Sequence, residues 1–508
     1  MKLKAVRIKN FRGCKNTGWI AFSDLTGLVG KNDAGKSTIL DALNLFFDSA
    51  GKLDVNDLRK GERPSAKVEI ACAFCDLPEK VVLDDAEETT LADEHLLNDT
   101  DELVIVKRYI VSQKAEVVVW GMHPSNPHCA ELLLSKDVKL RSEIEKKAIP
   151  CEDKSSNVAM RRAIWRFFES SLKIEKREIR LKPDMVDRLL RYLPNYYLFK
   201  ADRDNTEDDD VVRKPINAEI VQLIKNGGLE ANLKIVANGI IDALNNLMKR
   251  TLVKMKEVDI PLLCDLKPYL PDVAKLKWAD VFRDVTLVGD DEIPMEKRGS
   301  GIRRLILLSF LRAVKELGSD GDRGLIYAIE EPETAQHCDN QKKLMQSLKN
   351  VSGNEGIQVI VTTHSAAIAK EIGIDNIRIV DKSHMVVKVK KPVSSLSDRL
   401  AQSLNFVAFR VFGECLMEYH NELYGFIEAE GLMEKCGNEY VATNGARLWK
   451  RAKKKEPQDD YKSLCYYVRN SIHHPENTLN TPPTEDEIRR SITFMESFIK
   501  RHSKEFRI

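Results

Sequence analysis

Residues 30–37, Gly30-Lys31-Asn32-Asp33-Ala34-Gly35-Lys36-Ser37, place a lysine and a hydroxyl directly behind a glycine-bounded turn. The spacing fits the phosphate-loop pattern G-x-x-x-x-G-K-[ST]. In that pattern backbone N–H groups wrap an anion, and the helix that follows adds its positive end. Lys36 would reach the β- and γ-phosphates of a nucleotide, and Ser37 would bind Mg2+ through its hydroxyl. Asn32 and Thr38 complete the candidate nucleotide contacts.

Three further clusters could act on the same anion. Glu330-Glu331-Pro332-Glu333 follows an apolar run at 324–329, which puts its carboxylates at the end of a central strand. One of the pair can support Mg2+ there, and its neighbour can orient or deprotonate water. Without a cation, adjacent carboxylates at a buried edge would repel. His364-Ser365 ends the next apolar run, 357–363, where the histidine can contact the γ-phosphate. Gly299-Ser300-Gly301 opens an apolar helix at 305–314 and offers a second helix N-terminus to an anion. One nucleotide rarely needs two such sites from one chain. If Ser300 and Gly301 face the γ-phosphate held by another subunit, ATP links the two copies.

The elements that must hold these residues are legible from periodicity. A short apolar strand at 25–29 precedes the loop, and Ile39, Leu40, Ala42, Leu43, Phe46 and Phe47 give the next helix one apolar face. Residues 2–9 alternate as a strand, and Asn10-Phe11-Arg12-Gly13 reads as a turn. Runs at 66–74, 103–110 and 115–120 predict an antiparallel meander beside the nucleotide site. From 131 to 255 the chain turns helical and charged, with a buried strand at 196–199 and an acidic, solvated loop at 202–210. Helical patterns return at 399–424, 425–436, 459–472 and 484–503.

Bulk properties narrow the class. With 508 residues, the chain can hold several domains of ~150 residues each. Its 80 Lys and Arg nearly cancel 78 Asp and Glu, so overall charge points to no polyanionic partner. No run approaches the ~18 apolar residues of a membrane span. The N-terminus lacks a signal-peptide core, and ten scattered cysteines suit a reduced cytoplasmic protein. Cys72-x-x-Cys75 sits in an alternating run and reads as core packing, not a metal or redox pair.

Taken together, Ile8-Lys9-Asn10-Phe11-Arg12, the phosphate loop, Gly299-Ser300-Gly301, Glu330-Glu331-Pro332-Glu333 and Thr363-His364-Ser365 resemble the two-lobed ABC-type ATPase head of the SMC, Rad50, RecF and OLD families. The match covers about residues 1–125 and 280–382. The resemblance implies an α/β fold. It comprises ATPase lobe I at 1–130, a helical insertion at 131–280, lobe II at 281–397 and an all-α C-terminal domain at 398–508. It also implies that Glu330 supports magnesium, that Glu331 is the catalytic base, and that His364 acts beside it. Glu at 330 replaces the usual Asp, the signature is abbreviated, and no metal-loop glutamine is evident, with Asp54 or Asp57 as the candidate replacement. These departures point to slow turnover or to ATP binding as a switch.

Within that clade the chain looks most like the smaller bacterial anti-phage defence ATPases, such as PtuA of Septu and AriA of PARIS systems. Residues 383–508 show no Toprim pattern, so a nuclease would be a separate HNH or Toprim partner. Residues 447–455 carry six positive charges and one tryptophan, either a solvated turn or a nucleic-acid backbone contact. Arg469-Asn470-x-x-x-His474 is similar to the R-x4-6-H motif of HEPN ribonucleases. In that reading a histidine activates a ribose hydroxyl and an arginine stabilises phosphorane charge. The leading expectation is an ATP-switched scaffold that pairs through its heads and controls a partner nuclease. A self-contained HEPN-type ribonuclease is the alternative, and a RecF-type DNA repair ATPase follows it.

Overall fold

Two sheets share one helix, and the phosphate loop sits where that helix begins. The computed structural model describes residues 1–200 without 85–86, 323–390 without 335–337, 353–355 and 384–385, and 403–502 without 415 and 452–457, together with Ile235, Asn238 and Asp242. Met1–Ala201 with Arg323–Ile508 form one compact unit, described below; Asp202–Asp322 form another. The expected acidic loop at 202–210, most of the helical stretch that follows it to 255, and Ser300 and Gly301 with their helix lie outside the described residues.

Alternation builds the first sheet. Strand β1 (Lys2–Phe11) turns Leu3, Val6, Ile8 and Phe11 into the core. It pairs with β2 (Cys14–Asn16) and β3 (Ile20–Ala21). Beyond β4 (Leu25–Val29), the chain returns to this sheet as β5 (Val68–Cys75), β6 (Leu103–Tyr109), β7 (Glu116–Pro124) and β8 (Ile174–Ile179). The order is β2-β1-β5-β6-β7-β8, with β3 on β1 and every pair antiparallel. Cys72 is wholly buried within β5, as core packing requires.

The second sheet runs β13-β12-β4-β11-β10-β9, built from β9 (Asn195–Phe199), β10 (Leu325–Glu330), β11 (Ile357–Thr363), β12 (Ile377–Ser383) and β13 (Val386–Lys390). All neighbours are parallel except the β12–β13 edge hairpin. Every residue of β4 and β11 is buried, as continuous apolar strands covered on both faces should be. Helix α1 (Lys36–Phe47) packs on β9 of this sheet and on β1 and β5 of the other. Phe47 stacks on Tyr196 at 5.2 Å, and Phe46 meets Phe74 at 6.2 Å. The last carbonyls of α1 are satisfied from β6: Lys107 Nζ donates to Phe46 O at 2.6 Å and Tyr109 Oη to Leu45 O at 2.9 Å. A cation at this negative helix end is favourable.

Helices α2 (Asp137–Lys146), α3 (Asn157–Phe167) and α4 (Pro183–Leu190) join the same apolar core. Helices α5 (Cys338–Ser352) and α6 (Ala366–Ile372) pack on each other, α5 on β11 and α6 on β4. The C-terminal region begins with α7 (Leu404–Val407), which widens into a π-turn at Ala408–Phe412 that packs on α6. Helices α8 (Leu416–Ala429) and α9 (Met433–Asn444) follow, then the hairpin β14 (Arg447–Arg451) and β15 (Gln458–Lys462), then α10 (Leu464–His473) and α11 (Glu485–Arg501). Helix α11 packs on α8, α9 and α10 through Ile488, Ile492, Met495, Phe498 and Ile499.

Two local expectations are corrected. The stretch after residue 131 is not helical throughout, because Ile174–Ile179 pairs with the open edge of β7. Residues 459–462 are strand, not the start of a helix, and the C-terminal region therefore carries one hairpin among its helices. Arg451 pairs with Asp460 across that hairpin at 2.6 Å, and Arg447 pairs with Glu487 and ties the hairpin to α11.

A buried ion cluster ties α3 to the segment after β5. The Arg161 guanidinium, wholly inaccessible, donates to both oxygens of Glu94 at 2.9 Å and to Asp84 at 2.8 Å, and Lys182 reaches Asp84 at 3.2 Å. Burial alone would favour a neutral Asp84, but the guanidinium and ammonium hold its carboxyl below the usual range. Removing the guanidinium strands two buried carboxylates, of which only Asp84 keeps a cation. Arg161→Ala is expected to destabilise the protein by about 3–5 kcal/mol, read from urea midpoints. A loss under about 1 kcal/mol would show that the cluster contributes nothing to folding.

Candidate functional site

Register brings the candidate residues together. Thr363 of β11 lies opposite Val29 of β4, and Glu330 of β10 lies opposite Thr362. The three adjacent strands therefore release Gly30, Glu331 and His364 at one edge, the carboxyl edge where parallel sheets hold ligands. The expectation that these motifs meet follows from this pairing.

The loop geometry demands its glycines. A Cβ on Gly30 would lie 2.3 Å from Val380 O, and one on Gly35 would lie 2.5 Å from Val387 Cγ2. Gly35 also has φ +102°, a conformation that side chains rarely adopt. The loop is anchored by Gly30 N–H donating to Thr363 O at 3.3 Å. Helix α1 starts at Lys36 with no acidic residue in its first turn and no side-chain cap, so its N-terminal amides are left for an anion. Ser37 and Thr38 occupy that first turn, and Asn32 lies on the exposed rim of the loop.

Lys36 is buried. Its ammonium donates to Gly30 O and Lys31 O, each at 3.0 Å, and stands 3.6 Å from Glu331 Oε1. Burial lowers its pKa, opposed by the Glu331 and Glu333 carboxylates. Glu331 sits at φ +42°, strained for a residue with a side chain. The strain is held by its N–H, which donates to Thr362 O at 3.0 Å and to Thr362 Oγ1 at 3.2 Å. Such over-determined outliers cluster at functional sites. His364 Nδ1 lies 3.4 Å from Glu331 Oε1 and 3.4 Å from Glu333 Oε1. A cleft of about 600 Å3 opens on this side, lined by Glu331, Glu333, Gln341, His364, Ser365 and, from the C-terminal region, Glu414.

Sequence reasoning passed over Glu333 as a separate actor, although a third acidic residue two places after Glu331 was its signal. It also left Arg12 without partners. Arg12 Nε donates to Asp57 at 2.9 Å and Nη1 to Asp41 of α1 at 2.6 Å, and Lys200 also reaches Asp41 at 2.8 Å. Asp57 is thus engaged by arginine, and Asp54 caps its own short turn by accepting from Asn56 N–H at 2.8 Å. Both carboxylates that the sequence offered for a metal loop thus already hold protein groups. At the far end of the chain, the Arg469 guanidinium lies 5.1 Å from the Tyr424 ring centroid, Asn470 is buried, and exposed His474 pairs with Glu476 at 3.2 Å. Arg447 and Arg451, two of the three described cations of the basic stretch, are neutralised by the pairs above, and Lys453 to Lys455 lie outside the described residues.

A parallel sheet whose strand runs into a glycine loop and helix, with paired carboxylates and a histidine at the ends of the next two strands, has the architecture of a nucleotide-dependent ATPase. The AAA ATPase domain family, AAA_15, matches residues 1–369, and the chain belongs to it. Among solved structures, it is similar to an SMC head bound to the C-winged helix domain of ScpA, at 17% identity over 77% of this chain and 98% of that one, TM-score 0.36. The SMC head domain from Thermotoga maritima is 12% identical over 77% and 99% of the two chains, TM-score 0.32. An Smc head with an extended coiled coil, bound to the C-terminal domain of ScpA derived from Pyrococcus furiosus, is 16% identical over 76% and 95%, TM-score 0.35. A comparison with curated proteins finds no match. Among the described residues no helix is long and apolar enough to cross a membrane.

Proposed function

We propose that this chain is an ATP-dependent assembly switch whose site is completed by a second copy. In this reading the loop amides, Lys36, Ser37 and Thr38 hold the triphosphate, with Asn32 at the rim. Ser37 and Glu330 hold Mg2+, Glu331 orients the attacking water, and His364 contacts the γ-phosphate. The donor set suits the ion, since Mg2+ prefers a few hard oxygens and keeps waters and phosphate in its remaining positions.

The observation that carries the reading is how open the site is. The side chains of Glu331 and His364 are 26% and 40% accessible and border the cleft. Phosphoryl transfer depends on positioning and on charge stabilisation in a site closed to bulk water. A second head would supply that closure, with its Ser300 and Gly301 facing the γ-phosphate. The domain boundaries at 130, 280 and 397 follow from the same reading. Resemblance to the anti-phage defence ATPases supports a role in controlling a separate HNH or Toprim nuclease.

The test is the mass of the full-length protein by light scattering, with and without ATP and Mg2+. ATP is expected to double the mass of the species present without nucleotide. An unchanged mass at saturating ATP would sink the switch.

A further inference from the structure

One carboxylate at this edge has no assigned task. The Glu333 side chain is only 6% accessible, yet it borders the open cleft. Its Oε1 accepts the Thr363 hydroxyl at 2.6 Å and the His364 backbone N–H at 3.0 Å. The Thr363 hydroxyl oxygen in turn accepts Ser365 N–H at 2.9 Å. One carboxylate oxygen therefore fixes three successive residues where β11 ends, and it also faces the His364 ring. Among the described residues Oε2 is buried without a hydrogen-bond partner. Leaving a buried carboxylate oxygen unpaired is costly, and a fold with no use for the group would have an apolar residue here.

We propose that Glu333 is the positioning residue for His364: its carboxylate locks the Thr363–Ser365 turn and aims the imidazole at Glu331 and the γ-phosphate. Glu331 and His364 come from different strands. Their mutual placement is set by two stitches across those strand ends, Glu331 N–H to Thr362 and Glu333 to Thr363 and His364. Removing the second stitch lets the histidine turn swing, while the pairing of Thr363 with Val29 still holds the carbonyl that anchors Gly30 of the phosphate loop. Nucleotide affinity should then survive and turnover should fall, because displacing a reacting group by about 1 Å can cost about 100-fold.

The inference rests on the ATPase reading of the site, and the experiment separates the two. Steady-state ATP hydrolysis is measured on full-length wild type, Glu333→Ala, Glu333→Gln, His364→Ala, the Glu333→Ala/His364→Ala double variant and Lys36→Ala. Glu333→Ala is expected to lower kcat about 10- to 100-fold while KM moves less than about threefold. Glu333→Gln keeps an oxygen that can accept both hydrogen bonds, and should recover kcat to within about fivefold of wild type. The double variant should be no slower than His364→Ala, since both changes remove the same arrangement. Isothermal titration of ATP into Glu333→Ala, expected to give wild-type stoichiometry, separates a displaced histidine from simple misfolding, which would lower the fraction of chains that bind. The proposal is overturned if Glu333→Ala hydrolyses ATP as wild type does, if Glu333→Gln is as slow as Glu333→Ala, or if the two losses multiply in the double variant. Wild-type turnover in Lys36→Ala would instead overturn the ATPase reading.

Discussion

Lys36→Ala should reduce ATP turnover about 1,000-fold and abolish nucleotide-dependent assembly. The lysine carries the buried positive charge that would meet the β- and γ-phosphates, and its ammonium also closes the loop by donating to Gly30 O and Lys31 O. Alanine removes both contributions. The helix N-terminus alone keeps a partial charge of roughly half a unit, too little to replace the lysine. The check pairs phosphate release with isothermal titration of ATP. Turnover within about tenfold of wild type would place the chemistry elsewhere in the chain. A thermal melt without nucleotide separates loss of function from loss of fold, since two loop carbonyls lose their donor.

Glu331→Gln should have a comparable effect on rate and the opposite effect on assembly. Glutamine preserves the size of the side chain and the backbone N–H bonds to Thr362, so the φ +42° turn survives. What disappears is a carboxylate able to take a proton from water, a role worth about 100- to 10,000-fold. A negative charge 3.6 Å from Lys36 also goes, which favours binding of an anionic triphosphate. Turnover should fall by that factor while ATP still binds, and the paired heads should persist for longer after mixing with ATP. Unaltered turnover would exclude Glu331 as the base, and joint loss of binding and turnover would make it structural.

How much of this was readable in advance depended on the range of the interactions. The phosphate loop, the apolar strand before it and the acidic strand end are local demands of backbone and burial, so Gly30, Lys36 and Glu331 announce themselves. The first sheet was legible because β1 alternates with its buried face, whereas β5 and β6, buried on nearly every residue, show as continuous apolar runs. Ile174–Ile179 was not, since Glu175, Lys176, Arg177 and Glu178 carry no strand pattern and the open edge of β7 decides their pairing. The hairpin at 447–462 hid for a related reason. Its cations look like a solvated turn until Asp460 and Glu487 are seen opposite them. Arg161 reads as one more helix charge, and its partners Glu94 and Asp84 lie 67 and 77 residues earlier. Glu333 acts through a strand 30 residues away, a distance at which spacing in sequence says nothing.

The wall behind the phosphate loop sets the smallest piece of chain that can work. The family match ends at residue 369, after the last motif. Yet Gly30 rests on Val380 and Gly35 on Val387, and β12 pairs with Gly27 to Val29 of β4, the strand that delivers the loop. A fragment cut at the family boundary would carry the phosphate loop, the acidic strand end and the histidine, but it would expose an unpaired side of β4 and leave both glycines facing water. The catalytic unit therefore extends at least to Lys390, and the edge hairpin belongs to it as much as the loop does.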